Sequence, residues 1–134
     1  LANAGLGAVH GFAGPLGGMI SAPHGAICAA LLPFVIEVNV QALTARNPES
    51  KSLERYNIIA KILTNNQNAQ AEQAIEWIRN LCKTMKIPSL KKLGLNKKDI
   101  PIAAEKSRKS SSMKGNPIEL KDEELVEILE KASY

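Results

Sequence analysis

The first 36 residues of this 134-residue chain contain no Asp, Glu, Lys or Arg, whereas the rest carries all 17 basic and all 13 acidic residues. The same stretch holds seven of the nine glycines and three of the seven prolines. Exposed surfaces of folded domains normally carry charge, so a long uncharged stretch must be buried in protein or lie in a membrane. This choice constrains the fold more than any other feature of the sequence.

A membrane or secretory role is disfavoured by the interruptions in the stretch. A membrane span needs about 20 predominantly apolar residues, whereas the longest uninterrupted apolar run covers only residues 26–32. A secretory signal needs a basic segment before its apolar core, and none precedes this one. We therefore interpret the stretch as a Gly-rich segment buried at the centre of a larger protein, of which this chain is a fragment. We expect a cytoplasmic protein with no membrane partner.

Composition indicates one folded domain. Apolar residues make up 45% of the chain, enough to bury a core. Two cysteines exclude a disulfide scaffold, and the apolar neighbours of Cys28 and Cys82 indicate small core residues. Residues 79–114 are rich in Lys and Arg, but these charges lie on polar helix faces and in loops. They favour a solvated surface over a nucleic-acid site.

The periodicity of the apolar residues predicts an all-α fold, a bundle of five to six helices. Gly14-Pro15 and Gly17-Gly18 are expected to end the first helix, since Gly and Pro disfavour continuation. The second helix reads as a central buried one, with a possible bend at Pro33. The predicted helices cover residues 1–13, 24–43, the regions around 53–63 and 74–85, residues 97–109, and the segment from Asp122 onward.

Two apolar stripes are specific enough to name. The stripe with the strongest helical spacing lies in the fourth helix and consists of Ala74, Ile75, Ile78, Leu81, Cys82 and Met85. The last helix is expected to bury Leu125, Ile128, Leu129 and Ala132.

His10 and His24, the only two histidines, both lie in the uncharged stretch. A histidine among apolar residues is usually a hydrogen-bonded core residue. Here, however, His10 is predicted to end one helix and His24 to begin the next, so a chain reversal can bring the two imidazoles together. Imidazole is a common metal ligand, but a site needs three or four protein ligands. A metal site would therefore need further residues from outside this chain. The glycines at 5–7 do not form a dinucleotide-binding GxGxxG loop, since position 10 is His and no strand precedes them.

Read as a whole, the uncharged stretch resembles the iron-containing (group III) alcohol dehydrogenase family. The similar segments are NAGLGAVHG at 3–11, PLGG at 15–18, APHG at 22–25 and AALLP at 29–33. The separation of His10 and His24 is that of two metal-binding histidines of the family. A weaker similarity continues through LGL at 93–95, DIP at 99–101 and NP at 116–117.

The resemblance implies that residues 1–134 are the later part of a metal-binding, dehydroquinate synthase-like C-terminal helical domain. The family's N-terminal dinucleotide-binding domain would be absent from this chain. The family's divalent metal is bound by one Asp and three His, so His10 and His24 would be two ligands and the other two would lie before Leu1. The expected cofactors are Fe²⁺ or Zn²⁺ and NAD(P), both of which need the upstream part.

The implied reaction is oxidation of a small alcohol or reduction of an aldehyde or ketone, and we expect the chain alone to be inactive. Many members of the family carry a further His near the nicotinamide at the position of Gly14. Because this chain has Gly there, a maleylacetate reductase-like function remains an alternative. A non-catalytic helical module acting in oligomerisation or interaction is the other alternative. We expect a homo-oligomer, or self-association through the uncharged N-terminal face.

Overall fold

A computed structural model describes residues 7–134 of the chain, and within that range all regular elements are helical. The prediction of an all-α fold with five to six helices is confirmed. The α-helices are α1 (Gly7–Met19), α2 (His24–Arg46), α3 (Lys51–Thr64), α4 (Ala71–Thr84), α5 (Ile100–Arg108) and α6 (Asp122–Ser133), with 3-10 turns at Lys97–Asp99 and Ser111–Gly115.

The predicted end of the first helix is wrong. Residues 1–6 of the predicted helix over 1–13 lie outside the described residues, but α1 runs unbroken through Gly14 and Pro15 to Met19. Phe12 and Leu16 are both fully buried in the main core. Their packing outweighs the low helical propensity of the Gly and Pro residues, since tertiary contacts supply most of a helix's stability in a protein.

Helix α2 is the central helix and packs against α1, α3, α4 and α6. It is also longer than predicted and continues through Pro33. By length and composition alone it could cross a membrane, so the argument from short apolar runs does not hold for this helix. However, 61% of its most apolar window is buried against the other helices. The apolar surface of α2 is thus largely covered by the other helices, and the helix is not interrupted by its Gly or Pro residues.

The main core lies between α1, α2, α5 and α6. The predicted buried face of α6 is confirmed, because each of its four residues is at most 2% exposed. Fully buried side chains from the four helices meet in this core: Phe12 and Leu16, Ile27, Leu31 and Val35, Ala103, and Ile128 and Leu129.

Helices α3 and α4 form a hairpin at the side of this core, and the α4 stripe is not the buried face that its spacing indicates. Only Ala71 and Ala74 of α4 are buried, while Leu81 is 42% exposed and Met85 63%. Helix α4 packs mainly on α2 and α3, and among the described residues part of its apolar face stays exposed.

Both cysteines, predicted to be small core residues, are free and half-buried. Cys28 packs beside the main core. Burial raises the pKa of each thiol.

Three ion pairs, made by two residues of α2, fix the far half of this helix to its neighbours. Glu37 accepts hydrogen bonds from Arg79 of α4 and Lys131 of α6. Arg46, the last residue of α2, pairs with Glu124 in the first turn of α6. The first half of α2 is held by apolar packing, and it begins with His24.

Candidate functional site

The structure brings the two histidines together. The ring centroids of His10 and His24 lie 5.9 Å apart, with a tilt of 39° between the ring planes. Both residues are exposed. The two imidazoles therefore face solvent side by side, and neither is enclosed as a core histidine would be.

The reversal between α1 and α2 explains this proximity, although His10 does not end its helix as predicted. His10 lies in the first half of α1 and His24 is the first residue of α2. From His10 to Met19 a helix rises about 13.5 Å. The four-residue connection 20–23 can span about 13 Å when extended, so it is long enough to return the chain to the level of His10.

The donor set of this pair fits part of a metal site. Imidazole nitrogens are ligands of borderline cations such as Fe²⁺ and Zn²⁺. Within residues 7–134, however, no group of three His, Cys, Asp or Glu residues is placed to hold a metal ion. The pair thus offers two imidazoles on one surface, fewer than the three or four protein ligands of a complete metal site.

Cys28 lies beside the pair, a contact that the sequence interpretation missed. Its Sγ is 3.4 Å from His24 Nε2. The signal was available, since residues four apart share one face of a helix. Burial raises the pKa of this thiol, so the thiol stays protonated near neutral pH. Its S–H group is then able to donate a hydrogen bond to the imidazole.

The surface of α1 around His10 is bare backbone. Among the atoms of residues 7–134, a methyl group placed at Gly14, Gly17 or Gly18 would meet none within 4 Å, and the same holds for Gly25 in the first turn of α2. Glycine at such positions allows a partner to approach the main chain closely. The histidine pair therefore lies at the edge of a side-chain-free, uncharged face.

The first half of the same glycine face is closely packed. A methyl group at Gly7 would lie 2.2 Å from the backbone nitrogen of Asn116. At Gly11 it would lie 2.8 Å from the end of the Met113 side chain. The part of this face from Gly7 to Gly11 is therefore fixed against the turn at Ser111–Gly115, and the part from Gly14 onward is open.

A separate open cavity of about 330 Å³ lies between α2, α4 and the end of the chain. Arg79 and Phe34 both line this cavity, and the guanidinium carbon of Arg79 lies 5.2 Å from the centre of the Phe34 ring. Neither histidine lines this cavity, so it is distinct from the candidate site.

Comparison with known proteins assigns nearly the whole chain to one protein family. The model of the Fe-containing alcohol dehydrogenase family, C-terminal, matches residues 1–133. Alcohol dehydrogenase 4 of Saccharomyces cerevisiae is 37% identical over 131 residues, which are 97% of this chain and 32% of that protein. The 1,3-propanediol dehydrogenase of Citrobacter freundii is 35% identical over 97% of this chain and 33% of its own length.

Solved structures agree with the sequence comparisons. A 1,3-propanediol oxidoreductase superposes with a TM-score of 0.78 at 33% identity, over 93% of this chain and 32% of that one. The iron-containing alcohol dehydrogenase from Thermococcus thioreducens gives a TM-score of 0.71 at 26% identity, over 94% and 31% of the two chains. The chain thus spans about a third of the length of the proteins it matches.

Proposed function

Because this chain belongs to the Fe-containing alcohol dehydrogenase family, we propose that it is the metal-binding C-terminal part of an NAD(P)-dependent dehydrogenase. The substrate would be a small alcohol in one direction and an aldehyde or ketone in the other. The dinucleotide-binding domain and the remaining metal ligands would lie upstream of Leu1. The observation that carries this proposal is the approach of His10 and His24 to 5.9 Å on an exposed, uncharged surface.

His10 and His24 would hold a divalent metal between α1 and α2. When bound, such a metal supplies a Lewis acid for the substrate oxygen, and the nicotinamide takes up or gives the hydride. The two residues belong to different helices, and each helix is anchored in the main core. Their positions are thus set by packed elements rather than by a loop, and such placement favours a preorganised site.

The glycine face of α1 would receive the nicotinamide and the reacting end of the substrate. Gly14 lies one helical turn after His10, on the same face, and no described residue fills the space beside it. We propose that this space belongs to the nicotinamide. A histidine at this position is not available to relay a proton, so the proton path must use another group or water.

Metal content tests the proposal. In the full-length protein that contains this chain, His10→Ala and His24→Ala should each abolish retention of Fe²⁺ or Zn²⁺ and reduction of short aldehydes. Gln41→Ala, an exposed substitution further along α2, is the matched control and should leave both unchanged. Wild-type metal content and activity in His24→Ala would refute the proposed site. If the protein reduces maleylacetate and not aldehydes, the same site would belong to a maleylacetate reductase-like enzyme.

The bare face of α1 also supports a second candidate, self-association of the chain. Gly14, Gly17, Gly18 and Gly25 present uncharged backbone that the described residues do not cover, and such surfaces promote association. Light scattering of the 134-residue chain should then show an average mass that rises with concentration. A constant monomer mass over the same range would rule this candidate out.

A further inference from the structure

We propose that the side-chain amide pair of Asn39 and Asn116 is a positioning device that sets His10 relative to His24. This inference rests on the proposed function for its meaning, because it assigns a role in assembling the metal site. The hydrogen bonds of the two asparagines join them to each other, to Tyr56 and to Ile118, so we infer that their effect passes through the packing of α1 and α2.

The pair is reciprocal, and Asn39 is buried while Asn116 is half-buried. Asn39 Nδ2 donates to Asn116 Oδ1 at 3.1 Å, and Asn116 Nδ2 donates to Asn39 Oδ1 at 2.7 Å. Asn39 is 0% exposed. Its Nδ2 also lies 3.4 Å from the Tyr56 hydroxyl, and Asn116 Nδ2 lies 2.7 Å from the carbonyl oxygen of Ile118. A buried polar pair with its donors and acceptors met is directional, and so it specifies one arrangement where apolar packing would tolerate several.

Asn116 is also the point at which α1 meets the loop. Gly7 packs so closely on the backbone of Asn116 and Gly115 that a methyl group would lie 2.2 Å and 2.5 Å from their atoms. Gly11 rests on Met113 in the same way. These two glycines flank His10 on α1, so the backbone carrying the histidine has little freedom to slide over residues 113–116.

The other end of the connection is α2. Asn39 belongs to the helix that begins with His24, and a helix keeps the distance between its own residues. The loop is held on α2 a second time, since Arg46 Nη2 donates to the carbonyl oxygen of Glu119 at 2.9 Å. His24 is thus linked through α2, the amide pair and residues 113–116 to α1 and His10. Loss of the pair should release the loop, and with it the register of α1.

The test uses the full-length protein and two readouts. One is the nuclear Overhauser effect between the ring protons of His10 and His24 in metal-free protein with selectively labelled histidine. The other is the Zn²⁺ affinity, measured by competition with a chromophoric chelator. Asn39→Ala and Asn116→Ala should each lose the ring contact and weaken Zn²⁺ binding by about tenfold or more, the size seen when groups that orient metal ligands are removed. The double variant should be no worse than either single one, because the two residues act as a unit.

Three further variants separate positioning from loss of stability. Gly7→Ala displaces α1 from the loop without altering a polar group, so it should give the same two effects. Leu43→Ala makes a cavity in the smaller cluster around Val40 and Tyr56, away from α1; it should lower the melting temperature but keep the ring contact and the Zn²⁺ affinity. Tyr56→Phe removes only the long third contact of Asn39 and should behave as wild type.

The proposal is overturned if the Asn39 and Gly7 variants keep the wild-type ring contact and affinity, or if Leu43→Ala loses them equally. Failure of the proposed function looks different. In that case the wild-type protein would bind no Zn²⁺ through these histidines, and the ring contact would still report whether the amide pair positions them.

Discussion

Arg46 and Glu124 form a two-pronged ion pair that joins the end of α2 to the start of α6. Arg46 Nη1 donates to Glu124 Oε2 and Nη2 to Oε1, each at 3.0 Å. Burial raises the pKa of the Glu124 carboxyl, but the Arg46 hydrogen bonds, the backbone N–H of Lys121 and the neighbouring positive charges bring that pKa below its ordinary value. The two residues are 78 positions apart in sequence, so the pair links two helices that are distant along the chain.

Glu124→Gln should therefore make the fold less sensitive to acid. Because the folded-state pKa of Glu124 is lower than the unfolded one, its stabilisation is fully present above the unfolded value, about 4.3. It is lost as the pH falls through the folded-state pKa. The difference in free energy of unfolding between wild type and variant should be largest near neutral pH and vanish in acid. Urea unfolding at a series of pH values measures it, and Glu123→Gln, an exposed neighbour, should give a smaller difference.

Leu129→Ala and Ile62→Ala should separate core from surface. Leu129 is 0% exposed in the main core, while Ile62 on α3 is 72% exposed. The first substitution should lower the free energy of unfolding by about 2–5 kcal/mol, since it leaves a cavity. The second should change it by no more than about 0.5 kcal/mol. Denaturant unfolding measures both, and equal losses would mean that α3 is covered in solution.

Lys86→Gly should stabilise the end of α4. Lys86 has a φ of +57°, a left-handed conformation that costs a residue with a side chain about 1 kcal/mol or more and glycine almost nothing. We expect thermal unfolding to show a gain of up to about 1 kcal/mol. Lys83→Gly, inside α4, should instead lose about 1 kcal/mol. A loss in both variants would show that the Lys86 side chain makes a contact worth more than the backbone strain.

Gly14→Val should act on the cofactor and not on the metal. The added side chain would enter the open space one turn from His10, where we propose that the nicotinamide lies. The KM for the dinucleotide should rise about tenfold, equivalent to about 1.4 kcal/mol of lost binding, while the metal content stays at the wild-type level. Steady-state kinetics and elemental analysis of the full-length protein measure the two. An unchanged KM would place the nicotinamide elsewhere.

The number and order of the helices followed from local patterns, and the errors arose where tertiary contacts oppose those patterns. The face of α6 was predictable because Leu125 and Ile128 recur at the helical spacing and meet the core. Helix α1 was cut short in prediction because Gly14 and Pro15 disfavour a helix locally, whereas Phe12 and Leu16 hold it through packing. The α4 stripe misled in the opposite way, since apolar spacing shows which face could be buried but not whether a partner covers it.

The candidate site was predictable only in part for a related reason. The pairing of His10 with His24 followed from a resemblance and from the reversal between them. The support of that pair depends on Asn39 and Asn116, which are 77 residues apart. No periodicity links two such positions, so their contact became visible only when the helices were packed.

The absence of charge from the first 36 residues divides the molecule by its response to ionic strength. The described ion pairs all use residues from Glu37 onward. Added salt weakens ion pairs that are exposed to solvent, because mobile ions screen their charges. The helix ends that carry His10 and His24 are held by apolar packing and neutral amides, which salt does not screen. Concentrated salt should thus loosen the Glu37 ion pairs and the Arg46–Glu124 ion pair while leaving the histidine pair in register.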